Sequence, residues 1–257
     1  FTQIAINEGL LAEMDLSQIP NIDRLYDICK HPLGENYGPA YTLYNYGLVY
    51  RTDKASEPVT SWKDLWRDEF KDFVSLPDIS TTQGPATVIM TAIAWGDGPQ
   101  DEETAFAKLG DVKDNVIKFY NRSSELISLF QQEEVWIAPV QRFAWGNLVN
   151  TGLPLAWVNP AEGTVGTQNL ICLVKGTQKA DLAYKYIDFV LSDEVQKAMA
   201  MALVDSPSNK YVELPEDVAN LLTYGKETIE QLIILDIPYI LEVRDAWVER
   251  WNRNIAQ

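Results

Sequence analysis

The stretch at residues 73–96, FVSLPDISTTQGPATVIMTAIAWG, decides the fold class. Residues 73–76 are apolar and suited to a pleated surface, and they read as a buried strand. A polar loop follows at 78–83, and Gly84-Pro85 opens a helix, because a proline in the first turn gives up an N–H that has no partner there. Ser80, Thr81 and Thr82 can cap that end, and the freed amides with the positive end of the helix dipole favour an anionic or carbonyl group. Open α/β sheets take their ligands where a strand delivers such a loop to a helix N-terminus, although an ordinary capped helix carries the same residues.

Outward from this stretch, strands and helices alternate. Residues 40–51, AYTLYNYGLVYR, read as a long strand on which Tyr44 and Tyr46 share a face and Tyr41 does not. Further strands are expected at 116–120, 135–140, 155–158 and 168–175. Helices are expected over 1–12, from a Ser61 cap onward, over 101–109 with a stop at Gly110, and over 123–132 and 141–150. A long helical region at 179–203 restarts at Ser192, and residues from Pro215 onward read as helical with an interruption at Pro238. This alternation predicts an α/β fold with a largely parallel sheet.

Composition excludes several classes. The chain has 257 residues, enough for one large domain or two small ones, and its 46% hydrophobic share is that of a globular protein. A net charge of −16 argues against nucleic acid or an anionic membrane surface as a partner. Cys29 and Cys172 are too few for a disulfide framework or a Cys-rich metal site, though a bridge between them is open. The single histidine, His31, precedes a proline in a loop and is poorly suited to nucleophilic or His-rich metal chemistry. No run of eighteen apolar residues occurs.

Several stretches together resemble an extracytoplasmic solute-binding protein of an ABC importer, nearest the spermidine/putrescine-binding branch. They are GLLAEMDLSQIPN (9–21), VTSWKDLWRDEFKDFVSLPD (59–78), ELISLFQQEEVWIAPV (125–140), GLPLAWVNPAEGT (152–164), NLICLVKGTQKADLAYKYIDFVLSDEVQ (169–196), DSPSNKYVELPEDV (205–218) and AWVERWNRNI (246–255), and they stand in the family's order. The resemblance implies a two-lobed, type II periplasmic-binding-protein fold closing on a ligand. It assigns 1–43 and 169–205 to lobe 1, 44–168 to lobe 2, and 206–257 to C-terminal helices packing across the lobes. It also implies that the strand-helix-strand opening lobe 1 is absent from this chain. The expected role is that of a monomer, exported to the periplasm or another extracytoplasmic space, binding a small molecule and delivering it to ABC permease subunits. No cofactor, metal, nucleic acid or enzymatic activity is implied.

Polyamine binders of the kind resembled here use carboxylates for the ammonium groups and aromatic rings along the methylene chain. This chain departs from that pattern. The family's acid position on the second crossing strand falls on Asn169, beside Thr167; Gln141 and Arg142 stand where an aromatic is common; and Asp205 stands where tyrosine is common. Arg142 at a strand end can clamp a carboxylate, or bridge a neighbouring acid or lie on the surface. Asp205 and Asp236 can meet an ammonium, and Asp205 can equally form a local turn. The ligand-binding set is therefore Tyr44, Ser80, Thr81, Thr82, Gln141, Arg142, Thr167, Asn169, Asp205 and Asp236, with Trp145 as a wall or as packing.

The resemblance favours a polyamine, and Arg142 with the loop hydroxyls favours a small carboxylate or a zwitterion. An enzyme would need a nucleophile or acid/base set, which no spacing here supplies. An iron carrier would need neighbouring tyrosines, and Tyr44 and Tyr46 are separated by Asn45.

Overall fold

The computed structural model describes residues 1–34 and 36–256. The chain forms two compact units, Phe1–Asn45 with Gly166–Leu232, and Tyr46–Val165 with Ile233–Gln257. The fold is α/β, as expected. Its longest strand, Ala40–Arg51, starts in the first unit and ends in the second, and every residue except Tyr41 is buried. Burial on both faces explains why that run is apolar and aromatic instead of alternating with charge.

In the second unit, strand Val74–Pro77 lies parallel to Val116–Tyr120 and to Ile137–Gln141. Strand Ile137–Gln141 then pairs antiparallel with the long strand, Tyr46 opposite Gln141 and Tyr50 opposite Ile137. Leu155–Val158 is also antiparallel to it, with Leu48 opposite Val158. The sheet is therefore mixed, not largely parallel, because the long strand runs against Ile137–Gln141 and Leu155–Val158. Helix Gln83–Trp95 is buried nearly all round and packs beside helix Glu102–Val112. The Tyr46 hydroxyl lies 2.7 Å from Thr87 Oγ1, tying the long strand to that helix.

Several boundaries differ from the sequence reading. The segment after Ser61 closes as short 3-10 turns, Trp62–Trp66 and Asp68–Phe70, because a capping box of Ser61 and Asp64 tightens it and Arg67 is extended. Gly110 lies inside helix Glu102–Val112 and stops nothing. Pro238 sits in the first turn of helix Ile237–Asn254, where its missing N–H costs nothing, so it starts the helix. Between Pro215 and that helix the chain forms only short helices, Glu216–Ala219 and Lys226–Glu230, and strand Ile233–Ile234. Trp247 and Trp251 of the last helix fill the second unit's core.

In the first unit, strand Leu11–Ala12 pairs antiparallel with Leu173–Val174, so residues 1–12 are a helix, Thr2–Asn7, followed by a strand. The expected strand 168–175 is split into Val165–Leu170 and Leu173–Val174. Ser206–Pro207 pairs with the long strand, Thr42 opposite Pro207. Helices Ala180–Val190 and Asp193–Met201 meet at Ser192, whose hydroxyl caps the second as expected. Ile19, Leu25, Leu43 and Leu191 are fully buried in this unit's core, while Leu182, Tyr186 and Phe189 stand exposed along helix Ala180–Val190. Cys29 and Cys172 are free thiols; burial pushes Cys29 up to about 12, which makes it unreactive at neutral pH.

Two glycines of the second unit give opposite expectations. A Cβ at Gly84 would come 2.4 Å from Ile79 Cα and 2.6 Å from Ile79 O, whereas one at Gly110 meets nothing within 4 Å. Gly84→Ala should lower stability by about 1–3 kcal/mol through forced backbone movement. Gly110→Ala should raise it by roughly 0.5–1 kcal/mol by removing a flexible residue from a helix interior. Thermal melts of the two variants should move in opposite directions.

Candidate ligand-binding site

The first unit gathers its polar residues where three strands meet. The long strand is a hydrogen-bonded neighbour of Val165–Leu170 and, on its own register, of Ser206–Pro207. This brings Thr42, Asn169 and Asp205 together. Thr42 Oγ1 donates to Asp205 Oδ2 at 3.0 Å, and Asn169 Nδ2 donates to the same oxygen at 3.0 Å and to Thr42 Oγ1 at 2.8 Å. The backbone N–H of Ser206 donates to Asp205 Oδ1 at 2.8 Å. Asp205 is 5% exposed, and burial raises its carboxyl to about 7 despite these donors, which pull the other way. Tyr44 is buried, and Thr167 is half-buried on the strand that carries Asn169.

In the second unit the end of strand Ile137–Gln141 feeds directly into a 3-10 turn, Arg142–Ala144, and helix Trp145–Val149. Gln141 is buried and accepts from Ser123 Oγ at 3.3 Å. The Arg142 guanidinium lies 4.5 Å from the centroid of the Trp157 ring and 6.0 Å from that of Trp145, and the two rings are 6.2 Å apart. Burial draws Arg142 down to about 10, so it stays charged at neutral pH. A guanidinium over an indole ring is held by cation–π attraction, and its planar fork of donors suits a carboxylate or phosphonate.

Trp157 reaches that position because Gly47 has no side chain. A Cβ there would come 2.6 Å from Val158 O and 2.8 Å from the Trp157 ring. Gly47, Trp157 and Thr42 were not singled out by the sequence reading. A glycine within an otherwise bulky strand was the available signal for Gly47; the other two depend on strand register.

The loop at 78–83 is organised by its own residues. Asp78 Oδ1 accepts from Ser80 N at 2.9 Å and from Ser80 Oγ at 2.5 Å. Thr81 Oγ1 donates to Asp78 O at 2.7 Å and accepts from Gly84 N at 3.1 Å, so Thr81 is the residue that caps the helix. Thr82 is exposed and makes no side-chain cap bond. Asp236 is exposed, and its Oδ1 accepts from Tyr239 N at 3.1 Å as the cap of helix Ile237–Asn254. Among the described residues no group of three or more His, Cys, Asp or Glu is arranged to hold a metal ion, and no helix is long and apolar enough to cross a membrane.

The family model described as bacterial extracellular solute-binding protein matches residues 1–223. The chain belongs to that family. It is 26% identical over 220 residues to the spermidine/putrescine-binding periplasmic protein 1 of Haemophilus influenzae, covering 81% of the chain and 59% of the relative. It is 25% identical over 206 residues to a Salmonella typhi periplasmic protein provisionally named for binding 2-aminoethylphosphonate, covering 76% of the chain and 56% of that relative. It therefore spans less than two thirds of the length of these relatives. A crystal structure of an ABC transporter protein from Clostridium perfringens superposes with a TM-score of 0.89 at 36% identity, over 99% of this chain and 80% of that one. The chain thus has the periplasmic-binding-protein fold.

Two outcomes follow from the geometry. Asp205 has its carboxyl raised from 3.8 to about 7, so the folded state holds a proton that the unfolded chain releases. That contribution to stability is complete below the unfolded value and is lost as pH climbs through about 7. Chemical denaturation between pH 4 and 8 should show this fall, and Asp205→Asn should flatten it. Separately, Gly47→Ala should displace the Trp157 ring and alter tryptophan emission in the same sense as Arg142→Ala, because both remove the stacked pair.

Proposed function

We propose that this chain is the solute-capturing component of an ABC import system, working outside the cytoplasm as a monomer and handing its ligand to membrane permease subunits. Family membership supports that role. We further propose that the solute is a small organic molecule carrying both an amine and an acidic group. The observation that carries this reading is Arg142, a charged guanidinium held 4.5 Å from the face of Trp157 at the end of a buried strand. A guanidinium beside an ammonium is repulsive, whereas a carboxylate or phosphonate is its natural complement. Asn169, held by Asp205, is separately suited to accept from a donor such as an amine. Gln141, Thr167 and Tyr44 complete the set assigned to ligand contact, while Ser80, Thr81 and Asp236 serve their own loops and helix ends and Thr82 is exposed without a cap bond.

A relative named for 2-aminoethylphosphonate, which has one amine and one phosphonate, supports the zwitterionic class. The spermidine/putrescine-binding relative supports a polyamine as the second reading, and the tyrosines of the long strand are compatible with a methylene chain.

Calorimetric titration with 2-aminoethylphosphonate, β-alanine, putrescine and spermidine separates these readings. Binding of an acid-bearing amine that weakens ten-fold or more in Arg142→Ala is expected. Tight binding of putrescine or spermidine that Arg142→Ala leaves unchanged would overturn the zwitterionic assignment and leave the polyamine reading standing.

A further inference from the structure

The carboxylate of Asp205 is enclosed, and its oxygens accept from Ser206, Thr42 and Asn169. It is therefore poorly placed to meet a ligand itself. What it does instead is determine the orientation of a neighbour. Once ionised, above pH about 7, the Asp205 carboxylate only accepts, so the Asn169 atom 3.0 Å away is the amide nitrogen. Thr42 leads to the same orientation. Its hydroxyl has one hydrogen, which it donates to Asp205 Oδ2, so it faces Asn169 with a lone pair and again requires Nδ2, at 2.8 Å. Both hydrogens of the Asn169 amide are thereby engaged. Its carbonyl oxygen Oδ1 takes no partner among the described residues, and the side chain is half-buried.

We infer that Asp205 and Thr42 are positioning residues that lock the Asn169 amide with its carbonyl outward, making this position a neutral acceptor that selects a solute bearing N–H donors, such as an ammonium or primary amide. The inference rests on the solute-binding reading above. It also explains how an asparagine serves where the resembled family has an acid. The carbonyl dipole, oriented by the ionised form of Asp205, accepts from an amine without adding a second negative charge beside it, which a carboxylate at 169 would do.

Replacing Asp205 by asparagine reverses the logic. The Ser206 N–H keeps the new amide's oxygen on its side, so its nitrogen donates to Thr42 and to position 169, and Asn169 turns over to offer Nδ2 instead of Oδ1.

The test has one arm that needs no ligand. In nitrogen-15 NMR at pH 8.5, the Asn169 side-chain amide signals, identified by their loss in Asn169→Ala, should exchange with solvent at least ten-fold more slowly than those of exposed asparagines. That protection should be lost in Asp205→Asn and reduced in Thr42→Val, a milder variant that serves if Asp205→Asn does not fold. Rapid exchange in the wild type, or protection indifferent to both variants, would overturn the inference. The second arm titrates putrescine and 2-aminoethylphosphonate against ethylphosphonate, which lacks the amine. Either variant should weaken the amine-bearing probes ten-fold or more and leave ethylphosphonate unchanged or tighter. Equal weakening of all probes overturns amine selection at Asn169. If the wild type binds none of them, the solute class proposed above fails, while the exchange measurement still decides whether Asp205 orients Asn169.

Discussion

One strand answers to two cores. Ala40–Arg51 is buried along almost its whole length, and its halves belong to different compact units. In one, Leu43 is fully buried and Thr42 meets Asp205; in the other, Tyr46 bonds to Thr87 and Leu48 is fully buried. A slip of one residue would turn every one of these side chains to the opposite face. Gly47 adds a second constraint, because only a residue without a side chain lets Trp157 close over the strand there. The register of this single strand thus sets both the Thr42–Asn169–Asp205 group and the Arg142–Trp157 stack.

These two groups differ in how they hold charge. Arg142 keeps its charge against burial, with its guanidinium spread over an aromatic face. Asp205 carries the larger conflict, since three donors favour its charged form while desolvation favours the neutral one and raises the carboxyl to about 7. A buried acid in this state stabilises little at neutral pH. Its presence is better explained by the orientation it imposes on neighbouring dipoles than by any contribution to folding.

Much of the architecture is legible in the sequence where a local pattern is enough. Strands 40–51, 116–120 and 155–158 form over the residues that their apolar and aromatic runs mark, and the Ser192 restart forms as its cap predicts. Legibility fails where the outcome depends on a distant partner. Leu11 and Ala12 look helical on their own and become a strand only because Leu173 and Val174 pair with them. On residue type alone Gly110 reads as a stop and Pro238 as an interruption, yet each sits within a helix whose packing carries the chain past or into it. The same limit applies to the site. Arg142 and Gln141 are visible as polar residues ending an apolar strand. Thr42 and Trp157 become informative only once the register places them beside Asn169 and Arg142.

The exposed stripe on helix Ala180–Val190 bears on how the protein behaves among copies of itself. Leu182, Tyr186 and Phe189 are each more than half exposed, an apolar face on a molecule that otherwise carries a net charge of −16. At low ionic strength the like charges hold molecules apart beyond the reach of that face. Raising salt shortens the screening length from about 10 Å at 0.1 M to about 3 Å at 1 M, and excluded salts such as sulfate strengthen apolar association besides. Colloidal behaviour is therefore governed by a balance that concentrated salt tips towards self-contact, with dilute buffer as the condition that keeps the chain dispersed.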